Sequence, residues 1–315
     1  SVEELFHPEY KKVPMAVCGN PEARRGIILA KNELAKSFGV RTAETIWQAR
    51  RKCPNLVLCP PRHDLYRFYC EKLNAIYEQY TSQVERFGID ESYLDVTGSL
   101  HLFGGDPTAL AHEIRQRVTR ETGLTVSVGV SWCKVFAKLG SDLKKPDAVS
   151  VISRDNYKQI VWPMPVGSLL FVGRQTERHL KQLGIRTIGE LACTSPELLR
   201  RRFGKLGDQL YCYANGLDDS PVLEAGQEEE VHSVGHGITF SRDLFSRDDI
   251  RTSVAALSDK VASRLRRYGF KASAVQVTIK DPSLKVINRQ KPLPLPSYLA
   301  ADIARAAMEL ISASW

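Results

Sequence analysis

The stretch Ile89-Asp90-Glu91-Ser92-Tyr93-Leu94-Asp95 constrains the chain most, because two adjacent carboxylates stand where one apolar, β-prone run gives way to the next. Val84, Phe87 and Ile89 precede the pair, and Tyr93, Leu94 and Val96 follow it. The segment therefore reads as a β-hairpin with Asp90 and Glu91 at its tip. Two readings are open at this point. Aspartate is common in solvated turns, and a turn is all that the residues require. Alternatively, the paired carboxylates share a hard cation such as Mg²⁺, which prefers oxygen ligands and keeps waters and substrate phosphates in its shell.

The surroundings of the hairpin narrow the fold. Before it, Tyr66, Tyr69, Leu73, Ile76, Tyr77 and Tyr80 recur at three- and four-residue intervals, the apolar stripe of a helix. After it, Asp106-Pro107 opens a helix that turns Leu110, Ile114 and Val118 inward and closes at Gly123. Val126, Val128 and Val130 then alternate with Ser127, Gly129 and Ser131 as a half-buried strand, so that hairpin, helix and strand make an α+β sheet layer. On the next helix Lys134, Lys138, Asp142 and Lys145 share one face. That face is either a solvated one, with Lys138 paired to Asp142, or a basic one that meets phosphates.

The flanking segments are of other kinds. Up to about residue 62 the chain is loop-rich and basic: Arg24-Arg25-Gly26 leads into Ile27-Ile28-Leu29, and Lys31 to Phe38 has helical spacing closed by Gly39. From about 155 to 225 the helices are short and broken at Gly173, Gly184, Gly204, Gly207 and Gly216. Leu170-Phe171-Val172-Gly173, before a helix ending at Leu183-Gly184-Ile185, outlines a helix-hairpin-helix whose amides can hold a nucleic-acid phosphate. Arg200-Arg201-Arg202-Phe203-Gly204-Lys205 adds positive charge there, and Gln227-Glu228-Glu229-Glu230 suits a linker. Beyond it, Ser246 with Asp249 opens a helix burying Ile250, Val254, Leu257, Val261 and Leu265, with Lys260, Arg264 and Arg267 on another face. Val275, Val277 and Ile279 alternate with Gln276, Thr278 and Lys280 in a strand with one polar face, and a last helix runs from Ser297 to about Ile311.

Charge and cysteines set limits on function. A net charge of +8 favours a polyanionic partner. From residue 231 on, 13 Lys and Arg face 7 Asp and Glu, so this last segment carries +6 of that surplus. No apolar run approaches the ~18 residues of a membrane span. Seven cysteines without a Cys-x-x-Cys pair suggest reduced thiols in a cytosolic setting. His232 and His236 sit in a Gly-rich loop with no matching cysteines, which argues against zinc. The first residues carry no signal-peptide pattern.

Several of these pieces, in order, resemble the Y-family DNA polymerases, the translesion enzymes, over nearly the whole chain. They are Ser1-Val2-Glu3, Phe38-Gly39-Val40, the hairpin heptapeptide, Val128-Gly129-Val130-Ser131, Lys134-Val135-Phe136-Ala137-Lys138, Ser141-Asp142 and Lys145-Pro146. The resemblance implies an α+β fold with small fingers over 1–62, a ferredoxin-like palm over 63–151 and a helical, helix-hairpin-helix-like thumb over 152–226. A linker at 227–230 and a separate, incomplete α/β little finger over 231–315 complete it. It also implies a low-fidelity, template-directed polymerase without proofreading, which transfers a nucleotide from dNTP to a primer 3′-hydroxyl.

Site roles follow from the same resemblance. Asp90 matches the metal-binding aspartate and Glu91 the catalytic glutamate, holding two Mg²⁺ ions roughly 3.5–4 Å apart. Lys145 matches the triphosphate-binding lysine, whereas Lys138 has no assigned role and Asp95 is structural. Gly173 becomes a thumb contact to primer–template DNA, with Lys260, Arg264, Arg267 and Lys280 gripping the backbone regardless of sequence. The expected partners are primer–template DNA and dNTP, with a sliding clamp reached through a C-terminal tail beyond these residues. A cytoplasmic monomer that engages no membrane is implied.

Three departures from the family pattern stand out. The family begins with a strand bearing another metal-binding aspartate and then an aromatic residue that excludes ribonucleotides; this sequence starts just after both. The chain as it stands is therefore expected to turn over poorly, and a catalytically silent DNA-binding relative is the alternative reading. Where many members carry Tyr and Arg on the fingers helix, this chain has Glu33 and Lys36. Lys36 meets a phosphate as a point charge without the Arg fork, Glu33 repels one, and Lys31 compensates. Phe171-Val172-Gly173 lacks the first hairpin glycine usual in the family. A nucleotidyl cyclase, prompted by Gly104-Gly105-Asp106, is set aside because Pro107 follows and Asp106 serves better as a helix cap.

Overall fold

Residues 1–20, 26–227 and 231–314 are described by a computed structural model of the chain. Arg24, Arg25 and the Glu228-Glu229-Glu230 run, read above as a basic lead-in and a linker, lie outside the described residues. Two compact units are present, one of residues 1–18 and 28–227 and one of the described residues of 19–27 and 231–314.

The first unit starts with a three-stranded sheet in the order β2-β1-β3, formed by β1 (Met15–Cys18), β2 (Ile28–Lys31) and β3 (Val57–Cys59). Strand β1 runs antiparallel to β2 and parallel to β3. Helices α1 (Val2–Phe6), α2 (Glu33–Ser37) and α3 (Ile46–Lys52) accompany it. Ala16, Cys18, Ile28, Ala35, Val40, Ile46 and Ala49 fill the core beneath it. Helix α2 starts later than its spacing predicts. Asn32 accepts the amide of Ala35 as N-cap while its own amide group donates to the carbonyls of Tyr10 and Val13, so Lys31 stays in β2.

Next come α4 (His63–Tyr77), the hairpin strands β4 (Val84–Arg86) and β5 (Ser92–Leu94), α5 (Pro107–Thr122), β6 (Val128–Val130), α6 (Lys134–Leu143) and β7 (Val149–Val151). The expected sheet layer takes the form of two pairs, the antiparallel hairpin and a parallel pair of β6 with β7. Helices α4 and α5 cover both. Ile76, Tyr80, Leu110, Ile114 and Val118 bury together, and Leu94 from the hairpin and Val126 next to β6 pack on them. Asp106 caps α5 through the Thr108 amide, and Gly123 ends it in a left-handed conformation with φ of 73°.

Short helices follow: α7 (Tyr157–Ile160), α8 (Arg174–Gln182), α9 (Ile188–Ala192), α10 (Pro196–Phe203) and α11 (Lys205–Ala214). Their core of Leu180, Ile188, Leu191, Leu199 and Leu210 is continuous with Val135, Phe136 and Leu139 of α6. Packing thus crosses the boundary drawn at residue 152, and α6 belongs to both sides of it. In the second unit α12 (Arg247–Tyr268) and α13 (Ala300–Ser314) lie on one face of a hairpin of β8 (Ala272–Lys280) with β9 (Val286–Ser297). Ser297 closes β9, which moves the start of the last helix to Ala300.

Glu3, singled out in the opening motif, is buried at the start of the first unit, where the guanidinium of Arg62 and the hydroxyl of Tyr66 donate to its carboxylate. Burial pushes the carboxyl up, but these hydrogen bonds and the Arg62 charge outweigh it and hold the pKa below the usual glutamate value. A lowered native pKa makes this a contribution present above the ordinary carboxylate range and lost as pH falls through the native value. Glu3→Gln is therefore expected to cost about 2 kcal/mol at neutral pH. Denaturant melts of both proteins should converge as the pH is lowered past the carboxylate range, and a gap independent of pH would remove the charge from the account.

Candidate active site

The hairpin closes as its alternation predicts. Val84 pairs with Leu94, Glu85 with Tyr93 and Arg86 with Ser92, and the Phe87 amide donates to the Glu91 carbonyl, so residues 87–91 make the turn. Asp90 is exposed at the tip and has no hydrogen-bond or ion-pair partner among the described residues. Glu91 is the last residue of the turn and immediately precedes β5. Because side chains alternate along a strand, Glu91, Tyr93 and the cross-strand Glu85 share one face.

Helix α6 runs along that face. The Lys134 ammonium pairs with Glu85 and lies 5.6 Å from the centre of the Tyr93 ring, while Lys138 Nζ donates to Glu91 Oε1 at 2.9 Å. The fit is geometric: four helical residues rise about 6 Å and two strand residues about 6.6 Å, so successive lysines meet successive carboxylates. Lys138 also donates to Asp142 Oδ2 at 2.7 Å, and Lys145 Nζ reaches Asp142 Oδ1 at 2.7 Å. The Lys138–Asp142 pair expected of a solvated face is present, and Lys138 pairs with Glu91 as well. Burial works against the Lys138 charge, but Asp142 and Glu91 outweigh it and hold the ammonium above the usual lysine value. Burial likewise pushes Asp142 up, and the two lysines outweigh it and keep the carboxyl below its usual range.

What brings α6 so close is Gly129 of β6. A Cβ there would stand 1.9 Å from the Ala137 carbonyl oxygen and 2.5 Å from the Ser141 amide nitrogen. The half-buried strand Val128-Gly129-Val130 thus touches the helix backbone directly.

Sequence reasoning did not single out Glu85 or Asp218. Glu85 accepts the Leu223 amide at 3.0 Å besides pairing with Lys134, and Asp218 accepts the Val135 amide at 3.2 Å. Residues 216–225 return across this region as a strap, fixed further by Trp132 Nε1 to the Gly216 carbonyl, Gln83 Nε2 to the Val222 carbonyl and the Ala225 amide to the Ser82 carbonyl. The hairpin register, read straight across from Tyr93, points to Glu85; nothing local marks Asp218. Tyr93 is buried with its hydroxyl unpartnered. Burial, with Glu91 and Glu85 nearby, pushes the phenol far above its usual value, so it stays neutral.

The other predicted residues stand apart. Lys36 is paired with Glu33 at 3.1 Å on α2, both well exposed, and Lys31 donates to Thr42 Oγ1 at 3.2 Å. Asp95 accepts the Thr97 amide at 2.9 Å, a local turn contact. Gly173 is the N-cap of α8 in ordinary extended backbone, and Phe171 takes the left-handed conformation, with φ of 66°. In the second unit Lys260, Arg264 and Arg267 are exposed, on the side of α12 turned from the buried Ser258, Ala262 and Leu265. Lys280 lies with Gln276 and Thr278 on the sheet face away from the helices. The structure therefore puts Lys280 and the α12 cations on opposite sides of the two-layer unit.

Comparison with solved structures places the fold. A Y-family DNA polymerase chimera of Dbh and Dpo4 superposes with a TM-score of 0.87 at 21% identity, over 99% of this chain and 89% of that one. DinB from Sulfolobus solfataricus gives 0.64 at 22% identity, over 99% and 89%. The impB/mucB/samB family matches residues 1–142 and its C-terminal domain residues 231–315, with a DNA polymerase-iota thumb domain at 169–218. DNA polymerase IV of Acetivibrio thermocellus is 47% identical over 315 residues, all of this chain and 79% of that protein. That of Moorella thermoacetica is 38% identical over 316, all of this chain and 78% of that protein. The chain belongs to the Y family of DNA polymerases, in its DNA polymerase IV group. It is a DNA-directed DNA polymerase of the translesion type.

Gly129→Ala should force α6 off β6 and destabilise the first unit by about 3 kcal/mol. Denaturant melts measure this directly; a near-native midpoint would show slack between strand and helix.

Proposed function

We propose that nucleotidyl transfer takes place at the hairpin tip, between Asp90 and Glu91 on one side and the Lys138-Asp142-Lys145 row on the other. The observation that carries this is the pairing of an unpartnered carboxylate, Asp90, with a lightly held one, Glu91, beside a lysine exposed enough to take a triphosphate. The described residues contain no group of three or more His, Cys, Asp or Glu able to enclose a metal by itself. Two carboxylates fit Mg²⁺ all the same, because that ion is commonly held by one or two carboxylates together with substrate phosphates. When bound there, a pair of Mg²⁺ ions would lower the pKa of the primer 3′-hydroxyl and steady the pyrophosphate leaving group.

The chain's own residues do the positioning. Asp90 and Glu91 supply the negative charge on which cations gather, and Lys145 takes the triphosphate of the incoming dNTP. Lys31, which has no carboxylate partner among the described residues, supplements it, Lys36 being offset by Glu33. Residues 1–62 act as fingers, 63–151 as palm, 152–226 as thumb and 231–315 as little finger in this reading. The enzyme works as a cytoplasmic monomer on primer–template DNA, adds nucleotides with low fidelity and no proofreading, and takes a sliding clamp as protein partner. No described helix is long and apolar enough to cross a membrane.

In the second unit DNA lies on the sheet face, supported by Gln276, Thr278 and Lys280 there; in the first unit Gly173 at the start of α8 is a separate DNA contact. The cations of α12 point the other way and are left out of direct contact.

Glu91→Gln should lower the rate of primer extension roughly a thousandfold while sparing DNA affinity. Equal loss of extension and binding would make Glu91 structural. For the DNA face, Lys280→Ala should reduce the slope of log K against log salt by about 0.9, with the triple change Lys260→Ala, Arg264→Ala and Arg267→Ala leaving it in place. The reverse result would put DNA on the helix side.

A further inference from the structure

Glu91, Lys138, Asp142 and Lys145 form one unbroken chain of charge contacts, at 2.9, 2.7 and 2.7 Å. Its two ends are the carboxylate and the triphosphate lysine of the proposed site. Asp142 stands between them as a shared acceptor, one oxygen on Lys138 and the other on Lys145. We infer that Asp142 is a positioning residue that couples triphosphate binding to the release of Glu91; the inference rests on the site reading above.

The coupling follows from counting partners. Without nucleotide, Asp142 divides its charge between two ammoniums, and Lys138 divides its own between Asp142 and Glu91. A triphosphate carries more negative charge than Asp142 and draws Lys145 to itself. Asp142 is then left with Lys138 alone, and holds it more firmly. Lys138 moves off Glu91 to the same degree, so the Glu91 oxygen becomes available to a cation as nucleotide arrives. The pairs are suited to such exchange. Lys145 and Asp142 are about half exposed, at 52% and 47%, and exposed pairs of this kind are weak enough to be traded. Lys138 is the inner partner at 19%, near enough to both carboxylates to choose between them.

Neutralising Asp142 moves two quantities in opposite directions. Lys145 loses its competitor, so nucleotide binds more tightly. Lys138 loses its alternative to Glu91, so Glu91 is masked and cations are held less well. A merely structural aspartate would worsen both together.

The test compares wild-type polymerase with Asp142→Asn, Asp142→Glu and Lys145→Ala. Nucleotide affinity is read by fluorescence titration of dNTP onto the protein bound to a chain-terminated primer–template in Ca²⁺, where no turnover is required. Steady-state kcat and the Mg²⁺ concentration for half-maximal rate are measured separately on an extendable primer. Asp142→Asn should bind dNTP about threefold more tightly, turn over more slowly and need about threefold more Mg²⁺. Asp142→Glu, which keeps the charge, should return all three values toward wild type. Weakened or unchanged dNTP affinity in Asp142→Asn, or an unchanged Mg²⁺ requirement, overturns the coupling. Lys145→Ala separates this from the parent reading: if it does not weaken dNTP binding, the site assignment fails, whereas weakening there without the Asp142→Asn signature defeats the coupling alone.

Discussion

The contact between the β6 backbone and α6 at Gly129 is the constraint on which the active-site arrangement depends. Helix α6 serves two environments. Its apolar residues Val135, Phe136 and Leu139 join the core of the short helices, and its lysines meet the hairpin carboxylates. A helix so placed has little freedom: the core fixes its rotation and the strand beneath fixes its depth. With any side chain at Gly129 the strand could not approach, and the lysines would stand off from Glu85 and Glu91 by the thickness of a methyl group. Gly140 answers it from the helix, its own added Cβ falling 3.0 Å from the Gly129 Cα. Packing between backbones thus sets the position of charges, because interiors transmit small displacements rather than absorb them.

Much of this was legible in the sequence, and the reasons differ by residue. Alternation around Asp90 and Glu91 located the hairpin because one face of β5 is buried through Tyr93, and a period of two survives any loop chemistry. Spacing put Lys134, Lys138 and Asp142 on one face because a helix has only one way to arrange them. Lys145, expected on the same helix face, lies beyond the helix end at Leu143, after Lys144 turns to extended backbone. The caps at Asp106 and Ser246 were visible since each side chain bonds an amide two or three residues away. The roles expected of Asp90, Glu91 and Lys145 came from family resemblance, and geometry adds the Lys138 contact of Glu91 and the Asp142 contact of Lys145. Asp218 was invisible because its acceptor role joins residues 83 positions apart. The start of α2 was misplaced for a similar reason, Asn32 being recruited by carbonyls 19 and 22 residues upstream. Phe171 is instructive in the opposite sense. The sequence lacks the family's first hairpin glycine there, and Phe171 takes a left-handed backbone all the same, at a cost of about 1 kcal/mol. Its ring lies 6.1 Å from that of Tyr213, a contact no glycine could make.

The strength of the site's ion pairs matters as much as their geometry. Partly exposed pairs contribute less than about 1 kcal/mol each, so they hold Glu91 in place without committing it. A deeply buried pair would resist exchange, since freeing one partner leaves an uncompensated charge in a dry interior. The hairpin tip instead keeps Asp90 in water and Glu91 at the edge of it. In the proposed reading such a site would bind cations weakly alone and gain affinity from substrate phosphates, tying metal occupancy to the presence of nucleotide.

The charge of the second unit does different work. The surplus of +6 over residues 231–315 looks from composition like a DNA grip, yet much of it sits on the outer side of α12 while the sheet presents Lys280 among neutral polar groups. A helix layer packed on a sheet puts those outer cations about 10 Å or more from the far sheet face, beyond the ~8 Å screening length at physiological salt. For a duplex on the sheet face they add little to the bound state. Their field still reaches outward when salt is low, raising the rate at which a polyanion arrives without choosing where it settles. Charge counted along a sequence therefore measures steering, and only the faces of the folded unit decide which cations remain in contact once the DNA has bound.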